Sequence, residues 1–147
     1  MSSASGQISD TIEVIAVKVV VVELAEWAAN WAGAQGLDTE TIFAVRLCVE
    51  EAVTNIVLYA YDPGRIPGRV GVNALRTADG AVITIIDYGH PFDAATAPDP
   101  GREGEIEEAT IGGRGLRLMR EFSQGLSYER RGVQNRLTLT FISKKPG

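Results

Sequence analysis

The sequence predicts an α/β chain: an α+β two-layer sandwich in which a mixed, mostly antiparallel sheet carries helices on one face. Three observations lead there. Ile42, Val45, Val49, Ala52, Val53 and Ile56 recur at spacings of three and four, the apolar stripe of one long helix. Residues 69–75 and 81–87 are strand-like runs around Thr77-Ala78-Asp79-Gly80, and 126–131 and 136–142 flank Gly132-Val133-Gln134-Asn135 in the same way, so two hairpins are expected. Between them, residues 116–122 return to helical spacing after a cluster of glycines.

Taken in order, residues 1–9 are a polar leader of Ser, Gly and Gln expected to be disordered, ahead of a single domain over 10–143. Residues 11–17 carry β-branched side chains and read as a first strand at an edge of the sheet. Residues 23–34 turn to Ala, Leu and Trp, with Leu24, Trp27, Ala28 and Trp31 on an inner face and Gly33 and Gly36 at the end. Asp38 or Thr39 caps the central helix and Glu40 sits in its first turn, favourably for the helix dipole. That helix is expected to run to about Tyr61, where Asp62-Pro63-Gly64 stops it. Residues 81–87 are apolar until the last, which marks a central strand that ends on an acid. From 88 to 111 periodicity disappears among Gly, Pro, Asp and Glu, and a loop of that length in a small domain is expected to be functional, disordered, or both. In the helix that follows, Leu116, Met119 and Phe122 or Leu118 face inward.

Composition narrows the function classes. A chain of 147 residues fits one core, and 45% hydrophobic with 22% charged residues is ordinary for a globular protein. A net charge of −5 argues against direct binding of nucleic acid, which calls for a basic face. Cys48 is the single cysteine, so no internal disulfide or cysteine-based zinc cluster can form, and its place in the helical stripe makes it a buried hydrophobe. The valine-rich stretch 14–24 is broken by Lys18 and Glu23 and is too short to span a bilayer. With no basic region ahead of an apolar one at the N-terminus, a cytoplasmic location and no membrane association are expected.

Three stretches carry chemistry. Glu51 and Asn55 are one helical turn apart, so a carboxylate and a carboxamide aim at one point; the first suits a general base and the second a ligand for a hard cation. Asp87-Tyr88-Gly89-His90-Pro91-Phe92-Asp93 lies at the mouth of the buried strand, where an acid can accept a hydrogen bond from an amino group and a glycine lets a flat ring approach. Gly112-Gly113-Arg114-Gly115-Leu116 opens a helix, and glycines there present backbone N–H groups and the positive dipole end to an anion such as phosphate. Neither the P-loop pattern nor the dinucleotide fingerprint fits these glycines. Taken singly, an E-x-x-x-N pair is usually surface decoration and D-x-G usually a turn.

In this order and context the three stretches resemble the GHKL ATP-binding domain. Within that superfamily the short chain, Glu51-Ala52-Val53-Thr54-Asn55 and the D-x-G-x-x-F-D form of 87–93 are similar to the anti-sigma factor serine/threonine kinases. The resemblance covers roughly residues 10–142. It implies Glu51 as general base, Asn55 as magnesium ligand, Asp87 as reader of the adenine amino group and Gly89 beneath the ring. It further implies Gly113, Gly115 and Leu116 at the phosphates, with Arg114 among them facing either phosphate or solvent, residues 88–111 as a lid over ATP, and a threonine from the last strands, for which Thr138 is the candidate. Magnesium would then bridge phosphate oxygens while Glu51 takes the proton of an incoming serine hydroxyl. The partners implied are an antagonist protein phosphorylated on serine, a sigma factor or other regulatory protein, and a second copy in a homodimer. A non-catalytic, ATP-gated binding module and an ATPase or kinase fragment that regulates a non-sigma partner remain alternatives.

Overall fold

The computed structural model describes residues 9–62, 68–91 and 113–144. Its elements are β1 (Ser9–Ile15), α1 (Val20–Ala34), α2 (Thr39–Asn55), β2 (Arg69–Thr77), β3 (Gly80–Asp87), α3 (Gly113–Phe122), β4 (Gly125–Arg131) and β5 (Gln134–Ile142). The strands form one sheet in the order β1-β2-β3-β5-β4. Every pairing among the described residues is antiparallel, so the sheet is not the mixed one expected. The reason lies in the connections. Ala78-Asp79 and Gly132-Val133 close two tight hairpins, which make β2–β3 and β4–β5 antiparallel, and Gly132 takes the left-handed conformation (φ 59°) in its turn.

Period-two alternation divides the sheet into a covered face and an open one. Val70, Val72 and Ala74 of β2, Ala81, Ile83 and Ile85 of β3, and Leu139 and Phe141 of β5 are buried against the helices. Val82, Thr84 and Ile86 point the other way, in register with Leu75, Asn73 and Gly71 on one side and Thr140, Thr138 and Arg136 on the other. From the helices, Leu24, Ala28, Val45, Val49 and Val53 fill the same layer. Removing a side chain of that size from water stabilises by about 1.5–3 kcal/mol.

α1 begins at Val20, three residues before the expected start. Val20, Leu24 and Ala28 stand four apart and all are buried, so continuing the apolar stripe outweighs the weak helix propensity of valine. Trp31 is buried beside them, and its Nε1 donates to Asp10 Oδ2 of β1 at 2.9 Å, which explains the tryptophan as a structural tie. α2 buries Thr41, Ala44, Val45, Cys48, Val49, Ala52 and Val53. Burial pushes the Cys48 thiol up to about 12, so no thiolate forms there at neutral pH. At the start of α2, Asp38 Oδ1 accepts from the Thr41 hydroxyl (2.5 Å), the Ser143 hydroxyl (2.7 Å) and the Lys144 amide (3.3 Å). The helix start is thereby tied to the end of β5. Beyond Asn55 the helix widens into a π-helical turn, Ile56–Ala60, instead of running on as α-helix to Tyr61.

Candidate functional site

The last residue of β3 anchors the site. Register sets Asp87 opposite Asn135 of β5 and opposite Val70 of β2, on the face that meets the helices. Both are buried, Asp87 at 6% exposure and Asn135 at 5%. Asp87 Oδ1 accepts from Asn135 Nδ2 (2.8 Å) and from the Gly89 amide (2.8 Å). Burial raises the pKa of this carboxyl; the Asn135 and Gly89 hydrogen bonds and the nearby Arg130 charge pull against it.

The wide turn after α2 packs on the segment that follows Asp87. The Ala60 carbonyl accepts from the His90 amide at 2.8 Å. A Cβ on Gly89 would stand 2.0 Å from the same oxygen, so no other residue fits there without moving backbone. The Tyr61 hydroxyl donates to the Arg69 carbonyl (2.6 Å) and accepts from the Tyr88 amide (2.9 Å), pinning both strand ends to the end of the helix. His90 Nε2 lies 2.7 Å from Asp62 Oδ1 at the rim. Between these segments opens a cavity of about 200 Å³. Ala52, Ile56, Ile85, Met119 and Leu137 make its apolar walls, and Asn55, Asp87 and Asn135 contribute polar atoms. An apolar cavity with few, fixed polar groups suits a heteroaromatic ring.

Glu51 and Asn55 stand on α2 beside that cavity, where α3 arrives. A Cβ on Gly115 would lie 2.7 Å from Glu51 Oε1, 3.3 Å from Glu51 Cβ and 3.6 Å from Asn55 Nδ2. Glycine therefore lets the first turn of α3 close onto both side chains. Leu116 is buried at 1% and anchors that turn to the core. The glycine cluster does not precede the helix, as expected, but forms its beginning: α3 starts at Gly113, so Gly113, Arg114 and Gly115 carry the first amides of the helix. Those amides lack intrahelical acceptors and suit an anion. No group of three or more His, Cys, Asp or Glu that could hold a metal occurs among the described residues. Asn55 beside a helix start that suits an anion would instead fit a magnesium ion that takes most of its ligands from phosphate and water.

The structure thus brings Glu51, Asn55, Asp87, Gly89, Gly115 and Leu116 around one cavity and its edge. Phe92, Asp93 and the rest of the expected lid as far as 111 lie outside the described residues, as do Gly112 and residues 1–8 of the expected leader. Thr138 is not part of the site. It stands on the open face of the sheet, paired with Thr84 and Ser127, because β5 turns Asn135, Leu137 and Leu139 to the helices. The last-strand residue that reaches Asp87 is Asn135, which the sequence places only in an expected turn. Its hydrogen bonds to Asp87, Gly89 and His90 hold the acid and the following backbone together. Ala60 and Tyr61 were also outside the expected set, since neither carries reactive chemistry.

A ring slot with a buried acid, beside a helix start that faces a Glu/Asn pair, is the layout of an ATPase-type nucleotide domain. The Histidine kinase-like ATPase domain family matches residues 16–141, and the chain belongs to that family. It is 33% identical over 132 residues to the Serine/threonine-protein kinase BtrW of Bordetella bronchiseptica, covering 90% of this chain and 92% of that one. The structure of the RsbU and RsbW domains of Rv1364c from Mycobacterium tuberculosis matches with a TM-score of 0.67 at 17% identity. That match covers 95% of this chain and 34% of the other, so this chain spans about a third of its length and the likeness is one of fold.

Proposed function

We propose that this chain is an ATP-dependent protein serine/threonine kinase of the anti-sigma factor type. In this reading it works in the cytoplasm as a homodimer, phosphorylates an antagonist protein on serine, and exchanges that protein for a sigma factor or another regulator. The observation that carries the reading is the convergence at Gly115. The start of α3 comes close enough to Glu51 and Asn55 that a Cβ on Gly115 would lie 2.7 Å from Glu51 Oε1 and 3.6 Å from Asn55 Nδ2, next to the slot that ends on Asp87. The similarity to a protein named as a serine/threonine kinase, over 92% of its length, supports phosphotransfer as the chemistry.

Each residue then has one task. Asp87 accepts the amino N–H of adenine, Gly89 leaves room for the ring, and the first amides of α3, with Arg114, receive phosphate. Asn55 would hold magnesium, which supplies charge neutralisation along the phosphates. Glu51 accepts the proton of the incoming serine hydroxyl as its oxygen bonds to the γ-phosphorus, while the bond to the bridging oxygen breaks and ADP departs. The test is transfer of labelled γ-phosphate from ATP to a protein that this chain captures. Labelled serine in the captured protein supports the kinase. Nucleotide-dependent capture without any transfer would instead favour a gated binding module.

A further inference from the structure

We propose that Asn135 is a positioning residue that decides which base the site accepts, by fixing the Asp87 carboxylate so that Oδ2 is its one remaining acceptor. The inference rests on the nucleotide reading above and adds a specificity determinant to it. Five hydrogen bonds define the carboxamide. Nδ2 faces only acceptors: Asp87 Oδ1 at 2.8 Å, the His90 carbonyl at 2.9 Å and the Gly89 carbonyl at 3.3 Å. Oδ1 faces only donors: the Tyr128 hydroxyl at 2.6 Å and Arg130 Nη1 at 3.0 Å. Reversing the amide would set its oxygen against three acceptors on one side and its amino group against the Arg130 guanidinium on the other, so one orientation survives.

That orientation has a consequence for Asp87. Its Oδ1 takes two donors, Asn135 Nδ2 and the Gly89 amide, and among the described residues Oδ2 has no protein partner. A base that presents an N–H at this point completes the carboxylate, whereas one that presents a carbonyl leaves a buried negative oxygen against another acceptor. Discrimination of this kind lasts only while Asp87 stays ionised, since a protonated carboxyl can donate to a carbonyl. Asn135 opposes the effect of burial on that proton, and Arg130 assists it through space. Arg130 also donates to the Gly89 carbonyl at 2.8 Å, so the guanidinium and the carboxamide grip the same turn. The other titratable groups facing this pair are Tyr128 from β4, Tyr61 just beyond the π-helical turn, and His90 in the turn after β3, with its ring toward Asp62.

The test uses two substitutions of nearly equal size. Wild type, Asn135→Leu and Asn135→Asp are titrated with Mg-ATP and Mg-GTP by calorimetry, from mildly acidic to mildly alkaline pH, with thermal melting beside each. Leucine donates nothing to Asp87, so ATP affinity falls by about tenfold or more and the preference for ATP over GTP shrinks. Its ATP affinity recovers as pH rises and Asp87 ionises. Asn135→Asp sets two carboxylates across one register pair, which bind ATP only while they share a proton, so its affinity weakens as pH rises. Opposite pH slopes are not what lost packing produces. Variants that weaken ATP and GTP by one common factor at every pH would overturn the inference and leave Asn135 a structural residue, with the nucleotide reading intact. Wild type that binds neither nucleotide would overturn both. Should the leucine variant fail to melt cooperatively, the slope of Asn135→Asp decides alone.

Discussion

The two ends of the cavity are built on different principles. At the end proposed to take the base, the polar groups are side chains that are present: Asp87 and Asn135 are buried, paired by strand register and hydrogen-bonded to each other, to the His90 carbonyl and to Tyr128. At the end proposed to take phosphate, the decisive feature is a missing side chain, since Gly115 lets α3 close onto Glu51 and Asn55. The first end is held by the sheet. The second depends on how one short helix lies against another. Binding and chemistry are therefore expected to separate under mutation, with the base end governing whether nucleotide is held and the phosphate end governing what happens to it.

The largest effect should come from Glu51→Gln, which keeps shape but removes basicity. Phosphate transfer to the captured protein should fall by about a hundredfold or more, read as initial rates of label incorporation. Wild-type rates in this variant would remove Glu51 as the base and merge the two ends. A pair of glycine substitutions comes next. In Gly89→Ala the new methyl meets a backbone carbonyl at 2.0 Å, so a loss of about 1–3 kcal/mol in denaturant unfolding is expected, together with weaker nucleotide binding. In Gly115→Ala the methyl meets chiefly the far end of Glu51, a flexible side chain that can swing aside. Its stability should change little, while transfer drops by about tenfold as the carboxylate is displaced. Equal unfolding midpoints for the two variants would contradict the contrast.

The smallest effect concerns a position remote from both ends. Asp38 sits at about 2, held below the ordinary 3.8 first by the Thr41 hydroxyl and then by the Ser143 hydroxyl. A depressed carboxyl stabilises the fold above its unfolded pKa, and that contribution is lost as pH falls from about 3.8 toward about 2. Asn at this position should therefore lower the melting temperature at neutral pH by only about 1–3 °C, because solvent screens much of the interaction. The gap to wild type should close in that acid window. A gap that stays constant with pH would mean that packing, not charge, is lost.

Much of the base end was legible because it is written in local patterns. The apolar run that stops at Asp87 marks a central strand, and Gly89 follows two residues later. Glu51 and Asn55 share a face of α2 by helical spacing alone. Asn135 was not legible in that way. Its neighbours Gly132 and Val133 make a turn, and only pairing between strands 48 residues apart in sequence places it across from Asp87. Thr138 invites the opposite error, since a one-residue change of parity moves a side chain to the other face of a sheet. The all-antiparallel sheet and the helical reading of Val20–Val22 likewise depend on which surfaces meet in the fold. Propensity does not carry that information.

The division between the two ends is tested most directly by calorimetric titration of Mg-ATP into Asp87→Asn and Glu51→Gln beside wild type. The carboxamide in Asp87→Asn can turn its amino group toward the amino group of adenine, so affinity should fall by about tenfold or more. Glu51→Gln should bind within about twofold of wild type, since only the proton acceptor is lost. Equal losses in the two variants, or a weaker Glu51→Gln, would contradict the account.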